Sequence, residues 1–253
     1  MCLAVVALDA HPVYATVIVA NRDEFHARAA LPAHWWSEGF LAGRDVPGGG
    51  TWLGVTRAGR WGFLTNVRES AWRDPDAPSR GALVTDVLTA VDPPMRTLAA
   101  IAAEAGAFNG FNLLAGHGGE AGWYSNRSPA PLPLVGGLHG ISNAALDTPW
   151  PKVVGTRAAV AAWCAAGTQD TEALFVALTV KAIAPDDVLP MTGVTLEWER
   201  RLSAPFIVSA DYGTRCSTVL LLGRDGEAQF EERAFDPAGE LVNVARERFT
   251  MVR

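Results

Sequence analysis

The chain has 253 residues, 49% apolar and 19% charged, a balance that excludes a disordered chain and can fill a core in a single domain spanning 1–253. With 21 Lys and Arg against 27 Asp and Glu the formal charge is −6, which argues against general nucleic-acid binding. No stretch approaches the roughly 18 unbroken apolar residues of a membrane span, and the N-terminus lacks a basic region and is interrupted at Asp9, so it is not a secretory signal and a cytoplasmic location is expected.

Residues 3–8 and 13–20 are rich in Val, Leu, Ile and Ala, and Asp9-Ala10-His11-Pro12 between them has turn composition, which predicts a β-hairpin. With Leu8 opposite Val13, Cys2 falls opposite Val19 and shares a face with Asp23, whereas a slip of one residue presents Arg22 and Glu24 instead. Removal of Met1 would leave Cys2 first in the chain, carrying a thiol and a free α-amine. An α-amine titrates near 7.7–8.0 and a free thiol near 8.5, so one residue would hold both a nucleophile and its base. Asn21-Arg22-Asp23-Glu24 then reads either as a solvated strand end or as the charges of an activated cysteine. In the second case an Arg lowers the thiol pKa, and a carboxylate orients the amine or holds the Arg. The other two cysteines, Cys164 and Cys216, have no Cys-x-x-Cys spacing and read as small buried apolar residues, so neither a disulfide framework nor a metal site is indicated.

Trp35-Trp36 reads as an exposed aromatic pair in an irregular segment. The glycines of Gly48-Gly49-Gly50-Thr51-Trp52-Leu53-Gly54 call for positive φ or close backbone approach. They do not form a phosphate loop, because two strands, 52–56 and 61–67, follow around a turn at 57–60. The second of these ends in Thr65-Asn66-Val67-Arg68, where Asn66 is either an oxyanion donor or a turn residue satisfying backbone. Ser79 is placed to cap a helix over 80–91, Pro93-Pro94 ends it, and a helix over 95–105 follows. Strand character returns at 111–116 and 122–125. A Pro- and Gly-rich stretch then holds Gly140-Ile141-Ser142-Asn143 in a loop after a short strand. Helices are expected over 152–165 and 171–183. A strand over 212–222 is joined through Asp225-Gly226 to another over 227–235, with Arg215 and Ser217 on one face and Cys216 and Thr218 on the other. Strands, then helices, then strands predict an α+β fold with two stacked antiparallel sheets covered by helices.

The start at Met1-Cys2, Asn-Arg-Asp-Glu at 21–24, Gly43-Arg44-Asp45, Gly49-Gly50-Thr51-Trp52-Leu53-Gly54, Thr65-Asn66-Val67-Arg68 and Gly140-Ile141-Ser142-Asn143 together resemble the NRDE family, also called transport and Golgi organisation 2. The resemblance runs from residue 1 through the 212–222 strand. It implies an N-terminal-nucleophile hydrolase fold, a four-layer αββα sandwich. The pattern is similar to that of cysteine acylases acting on linear amides, such as choloylglycine hydrolases and penicillin V acylases. By that similarity Cys2 matches the nucleophile, Arg22 and Asp23 the Arg/Asp pair of the second strand, Asn66 and Asn143 the two asparagines, and Arg215 the late-strand arginine. In those acylases the Asp follows the Arg at a gap of three, whereas Arg22 and Asp23 adjoin.

Two functions follow from the resemblance. The first is a cysteine hydrolase of a small amide substrate with an apolar acyl group, needing no cofactor. The second is a carrier of haem or an acyl ligand without turnover, since the family has been linked to haem trafficking. His11, His26, His34, His117 and His139 are the available axial ligands, and none of them lies in a haem-attachment or paired-ligand motif.

Overall fold

The computed structural model describes residues 3–69 and 74–252, with the backbone of Cys2 in addition. Two antiparallel sheets stack face to face. The first carries β1 (Cys2–Leu8), β2 (Tyr14–Phe25), β10 (Gly137–Ile141), β11 (Tyr212–Gly223), β12 (Glu227–Phe235) and β13 (Leu241–Thr250) in the order β10-β1-β2-β11-β12-β13. The second carries β3 (Ala30–Trp35), β4 (Phe40–Asp45), β5 (Leu53–Thr56), β6 (Trp61–Asn66), β7 (Phe111–His117), β8 (Glu120–Ser125) and β9 (Leu132–Pro133), in sequence order.

The apolar pattern of the strands dictates this stacking. In β1, Ala4, Val6 and Leu8 pack between the sheets, while Val5 and Ala7 pack outward beneath helices, so a strand buried on both faces reads as one continuous apolar run. Leu41, Leu53, Val55, Trp61 and Phe63 meet Ile18, Leu220 and Phe230 in the inter-sheet core. Each such side chain, fully buried, contributes about 1.5–3 kcal/mol. Helices α1 (Gly81–Thr89) and α2 (Pro94–Glu104) cover the seven-stranded sheet through Leu83, Val84, Val87, Leu88 and Leu98. Helices α3 (Pro151–Ala166) and α4 (Glu172–Leu178) cover the six-stranded sheet through Val160, Trp163, Cys164, Leu174 and Phe175. The result is the expected four-layer αββα sandwich. Among the described residues no helix is long and apolar enough to cross a membrane.

Several expectations need correction. The first hairpin pairs Leu8 with Thr16 and Cys2 with Arg22, not Leu8 with Val13 and Cys2 with Val19. The turn is wider than its composition suggests because His11 is buried in it. The ring stacks on Trp163 at 4.6 Å, and Nδ1 accepts the Val13 and Tyr14 amides at 3.1 and 3.3 Å. Trp36 is 9% exposed and donates Nε1 to Ala42 O at 3.0 Å, so it belongs to the core. The segment around Trp35-Trp36, read as irregular, is the end of β3 and its turn into β4. The helix expected over 171–183 ends at Leu178, and α5 (Leu196–Ser203) and β13 lie where no element was expected.

The glycine loop before β5 behaves as its composition requires. Gly49 has φ 73°, and a Cβ on Gly50 would lie 2.4 Å from the Gly81 carbonyl carbon at the start of α1. This close approach seats Trp52 at the inner edge of the second sheet.

Candidate functional site

β1, β2 and β11 lie side by side, and at one end of this strip the register opposes Cys2 to Arg22 and Arg22 to Cys216. Opposed residues on antiparallel strands share a face, so the side chains of Arg22 and Cys216 both enter the space between the sheets. The side chain of Cys2 lies outside the described residues. A bulge between Thr214 and Cys216 takes Arg215 out of register.

Arg22 is 6% exposed. Its guanidinium carbon sits 4.4 Å from the centre of the Trp52 ring, and among the described residues its buried Nη1 has no hydrogen-bond partner, nor has Nε1 of Trp52. Beneath them Glu232 reaches in from β12, fully enclosed. Its Oε1 accepts the Ala33 amide at 2.8 Å from the facing sheet, and its Oε2 accepts the Thr218 hydroxyl at 3.4 Å. Burial pushes the Glu232 carboxyl up, towards its neutral form, against the pull of the Ala33 amide, the Cys216 thiol and the Arg22 charge.

Asp23 takes the opposite face of β2 from Arg22, correcting the register that placed it with Cys2. It is 1% exposed and accepts the Thr214 hydroxyl at 2.7 Å; that oxygen in turn accepts the Ile207 amide at 2.9 Å. Burial raises the Asp23 pKa, and the charge of Lys152 at the start of α3 pulls it back. Asn21, on the same face, donates to Leu178 O and Pro205 O, both at 2.8 Å, and accepts the Ser217 hydroxyl at 2.6 Å. It therefore sews the helical side of the fold to the strand.

Asn66 and Asn143 come together where β6 ends beside the loop after β10. Asn143 is wholly buried and donates its amide to Asn66 O at 2.8 Å, while the Arg68 amide donates to Asn143 O at 2.7 Å. Thr65 donates to Ser142 O at 2.5 Å, and Asn112 ties Thr65 to Ala144 O at 3.1 and 2.9 Å. Asn143 is thus fixed by a network that joins the two sheets and meets Asn66 at its backbone carbonyl. Arg68 extends it. Its Nη1 meets Glu199 of α5 at 2.5 Å and its guanidinium lies 4.6 Å from the Trp150 ring centre, while Glu199 also accepts the Thr192 amide and hydroxyl at 2.9 and 2.6 Å.

Arg215 meets backbone rather than an anion. Its Nη1 donates to Phe25 O, His26 O and Arg28 O at 3.1, 3.3 and 3.1 Å, which closes the end of β2. Burial lowers its pKa, and so does the Arg22 charge. Two guanidiniums of like sign therefore lie within electrostatic range of each other.

At Arg22 a cleft opens between the sheets, walled by Leu3, Ala20, Trp52, Phe63, Thr65 and Thr218, and wide enough for about one water. A guanidinium in such low-dielectric surroundings strongly favours a nearby anion. Of the histidines, His11 presents Nε2 to Thr168 O at 3.1 Å, His26 presents Nε2 to Ser209 O at 3.0 Å, His34 presents Nδ1 to Pro32 O at 2.8 Å, and His139 meets Asp147 and Val135 O at 3.0 Å each.

Sequence reasoning missed Glu232, Glu199 and Lys152. Glu232 left a trace, since it occupies the phase of Ala228, Phe230 and Ala234 along β12, the one charge in an apolar row. Lys152 follows the Pro that opens α3, and nothing in its neighbours marks it as buried. Glu199 lies in α5, where the sequence led to no element at all.

The family model described as Transport and Golgi organisation 2 matches residues 1–237. The mouse Transport and Golgi organization 2 homolog is 33% identical over 257 residues, covering 92% of this chain and 93% of its own. The human Transport and Golgi organization protein 2 homolog is 32% identical over the same coverage. The Drosophila melanogaster Transport and Golgi organization protein 2 is 28% identical, with 95% of both chains covered.

Proposed function

The chain belongs to the Transport and Golgi organisation 2 family, and on that premise we propose that it is an N-terminal-nucleophile cysteine hydrolase of a small linear amide. The observation that carries this reading is the register Cys2–Arg22–Cys216, which pairs the strand end bearing the first thiol with a buried arginine whose Nη1 has no hydrogen-bond partner among the described residues.

With Met1 removed, the Cys2 amine takes the thiol proton and Arg22 stabilises the thiolate. The sulfur attacks the amide carbonyl, forming a C–S bond and a tetrahedral oxyanion. Asn66 and Asn143 are its donors, Asn143 through the amide hydrogen not given to Asn66 O. The ammonium returns its proton to the leaving nitrogen, the C–N bond breaks, and water releases the acyl group by the reverse proton path. Asp23 and Lys152 set the charge on the helical side of β2, and Arg215 holds the strand end in place.

The test combines intact mass with turnover of a panel of N-acyl amides by wild type and Cys2→Ala. The reading expects loss of the Met1 mass and turnover by wild type alone. Met1 fully retained, or no turnover by either protein together with a saturable Soret shift on adding haem, would overturn it in favour of a carrier.

A further inference from the structure

β10 is one edge of the six-stranded sheet, and the loop that leaves it carries Asn143. Asp147 closes that loop. Its amide donates to Gly140 O at 2.8 Å and its Oδ1 accepts the Gly140 amide at 2.8 Å, so the two residues exchange a pair of bonds on the side of β10 that no strand covers. The backbone that makes this possible is left-handed, with φ 59° at Asp147. Asp9 is the only other non-glycine residue with positive φ among the described residues. A residue with a Cβ is disfavoured in that conformation and persists there where its surroundings over-determine it.

We propose that Asp147 is a positioning residue for Asn143, closing the loop over 141–146 so that the Asn143 side chain is held where the oxyanion forms. The role of Asn143 as oxyanion donor rests on the hydrolase reading; the closure of the loop does not.

The loop is tied to both sheets. On the side of the second sheet, Thr65 donates to Ser142 O, the Arg68 amide to Asn143 O and Asn112 to Ala144 O. On the side of the first, the Asp147 bonds return the chain to Gly140. Asn143 sits between the two sets of ties and gives one amide hydrogen to Asn66 O. An oxyanion donor is effective only when it is already in place as the charge develops, so what fixes this loop fixes the donor. Other side chains hold the Asp147 carboxylate in turn. His139 Nδ1 lies 3.0 Å from Oδ2, its Nε2 faces Val135 O at 3.0 Å, and Arg157 Nη1 of α3 lies 3.4 Å from Oδ1. Gly140 is pressed beneath α3, where a Cβ would lie 2.5 Å from Cγ1 of Val153. The His139, Asp147 and Arg157 side chains are 15%, 36% and 39% exposed. Ion pairs at such exposure add little to global stability, so the effect of this cluster lies in the geometry of the loop.

The experiment uses the whole chain as Asp147→Gly, which accepts the left-handed backbone and removes the carboxylate, and as Asp147→Asn, which keeps an oxygen for the Gly140 amide. With the N-acyl amide that wild type turns over fastest, kcat should fall roughly tenfold or more in Asp147→Gly while KM stays within about twofold, and Asp147→Asn should restore most of the rate. Alkylation of Cys2 by iodoacetamide develops no oxyanion, so its rate should match wild type in both variants. Hydrogen exchange at the Arg68 amide, which donates to Asn143 O, should quicken in Asp147→Gly and not in Asp147→Asn. An unchanged kcat in Asp147→Gly would overturn the proposal, and so would an equal loss of kcat and of alkylation rate, which is the mark of general damage to the fold. Should Asp147→Gly fail to fold, wild type decides it: the Gly140 and Arg68 amides should both be protected, and free exchange at Gly140 would overturn the closure. Turnover by wild type with Arg68 exchange unaltered in Asp147→Gly removes the positioning role and leaves the hydrolase. No turnover by wild type, with faster Arg68 exchange in Asp147→Gly, removes the hydrolase and leaves the loop closure.

Discussion

Replacing Arg22 by Met in a Cys2→Ala background should make the protein more stable. Arg22 is 6% exposed, its Nη1 has no hydrogen-bond partner among the described residues, and its guanidinium is stacked on Trp52. Bringing a charged group into such surroundings costs several kcal/mol even after relaxation. A desolvated cation–π contact returns about 2 kcal/mol. Met keeps most of the stem that packs against the cleft walls and removes the charge. The difference leaves a net stabilisation of about 1–3 kcal/mol. For a chain of this length each kcal/mol moves Tm by about 2–4 °C, so the variant should melt roughly 2–12 °C higher. Urea titration provides the assay: the midpoint should rise with an unchanged m value. The Cys2→Ala background removes the thiolate that the proposed mechanism sets against the guanidinium. A loss of more than about 1 kcal/mol would refute the reasoning, because it would mean that Arg22 is held by contacts that stabilise the fold rather than kept at a cost for function.

The buried Arg68–Glu199 pair, whose side chains are 2% and 4% exposed, should make Glu199→Ala cost about 3–5 kcal/mol, while Arg68→Met with Glu199→Leu recovers most of the loss, as denaturant titration of the three variants will show. Glu232 gives a pH signature. Burial raises its folded pKa above the ordinary 4.5, so the folded state binds the extra proton, and stability is full below about 4.5 and falls as pH rises through the folded value. Glu232→Gln keeps an oxygen for the Ala33 amide and cannot ionise. Its stability relative to wild type should therefore grow from pH 4 to pH 8, and a difference independent of pH would contradict this. Gly155, in the middle of α3 with open space around its missing Cβ, should gain about 0.5–1 kcal/mol on replacement by Ala in thermal melts.

Layering and sheet composition were legible because apolar runs such as 3–8 and 219–222 are buried on both faces. Edge elements were not: β13 carries Arg246 and Arg248 on exposed positions with Glu247 half-buried between them, a composition that protects an open edge and conceals strand character. The hairpin register failed at His11, whose type marks a turn while its burial against Trp163 adds residues to that turn. The same slip decides the site, since one face of β2 carries Arg22 and the other Asp23. Arg22, Asp23, Asn66 and Asn143 were visible as polar residues at strand ends. The buried charges that surround them, Lys152, Glu199 and Glu232, became visible only when distant segments met.

The central claim is that Cys2, opposed to Arg22, is an activated nucleophile. Mass-resolved alkylation of Cys2 by iodoacetamide across pH 5–10, in wild type and Arg22→Met, tests it most directly. The account predicts a wild-type midpoint below the ~8.5 of a free thiol and a rise in the variant. A midpoint at or above that of a free thiol in both proteins would contradict it.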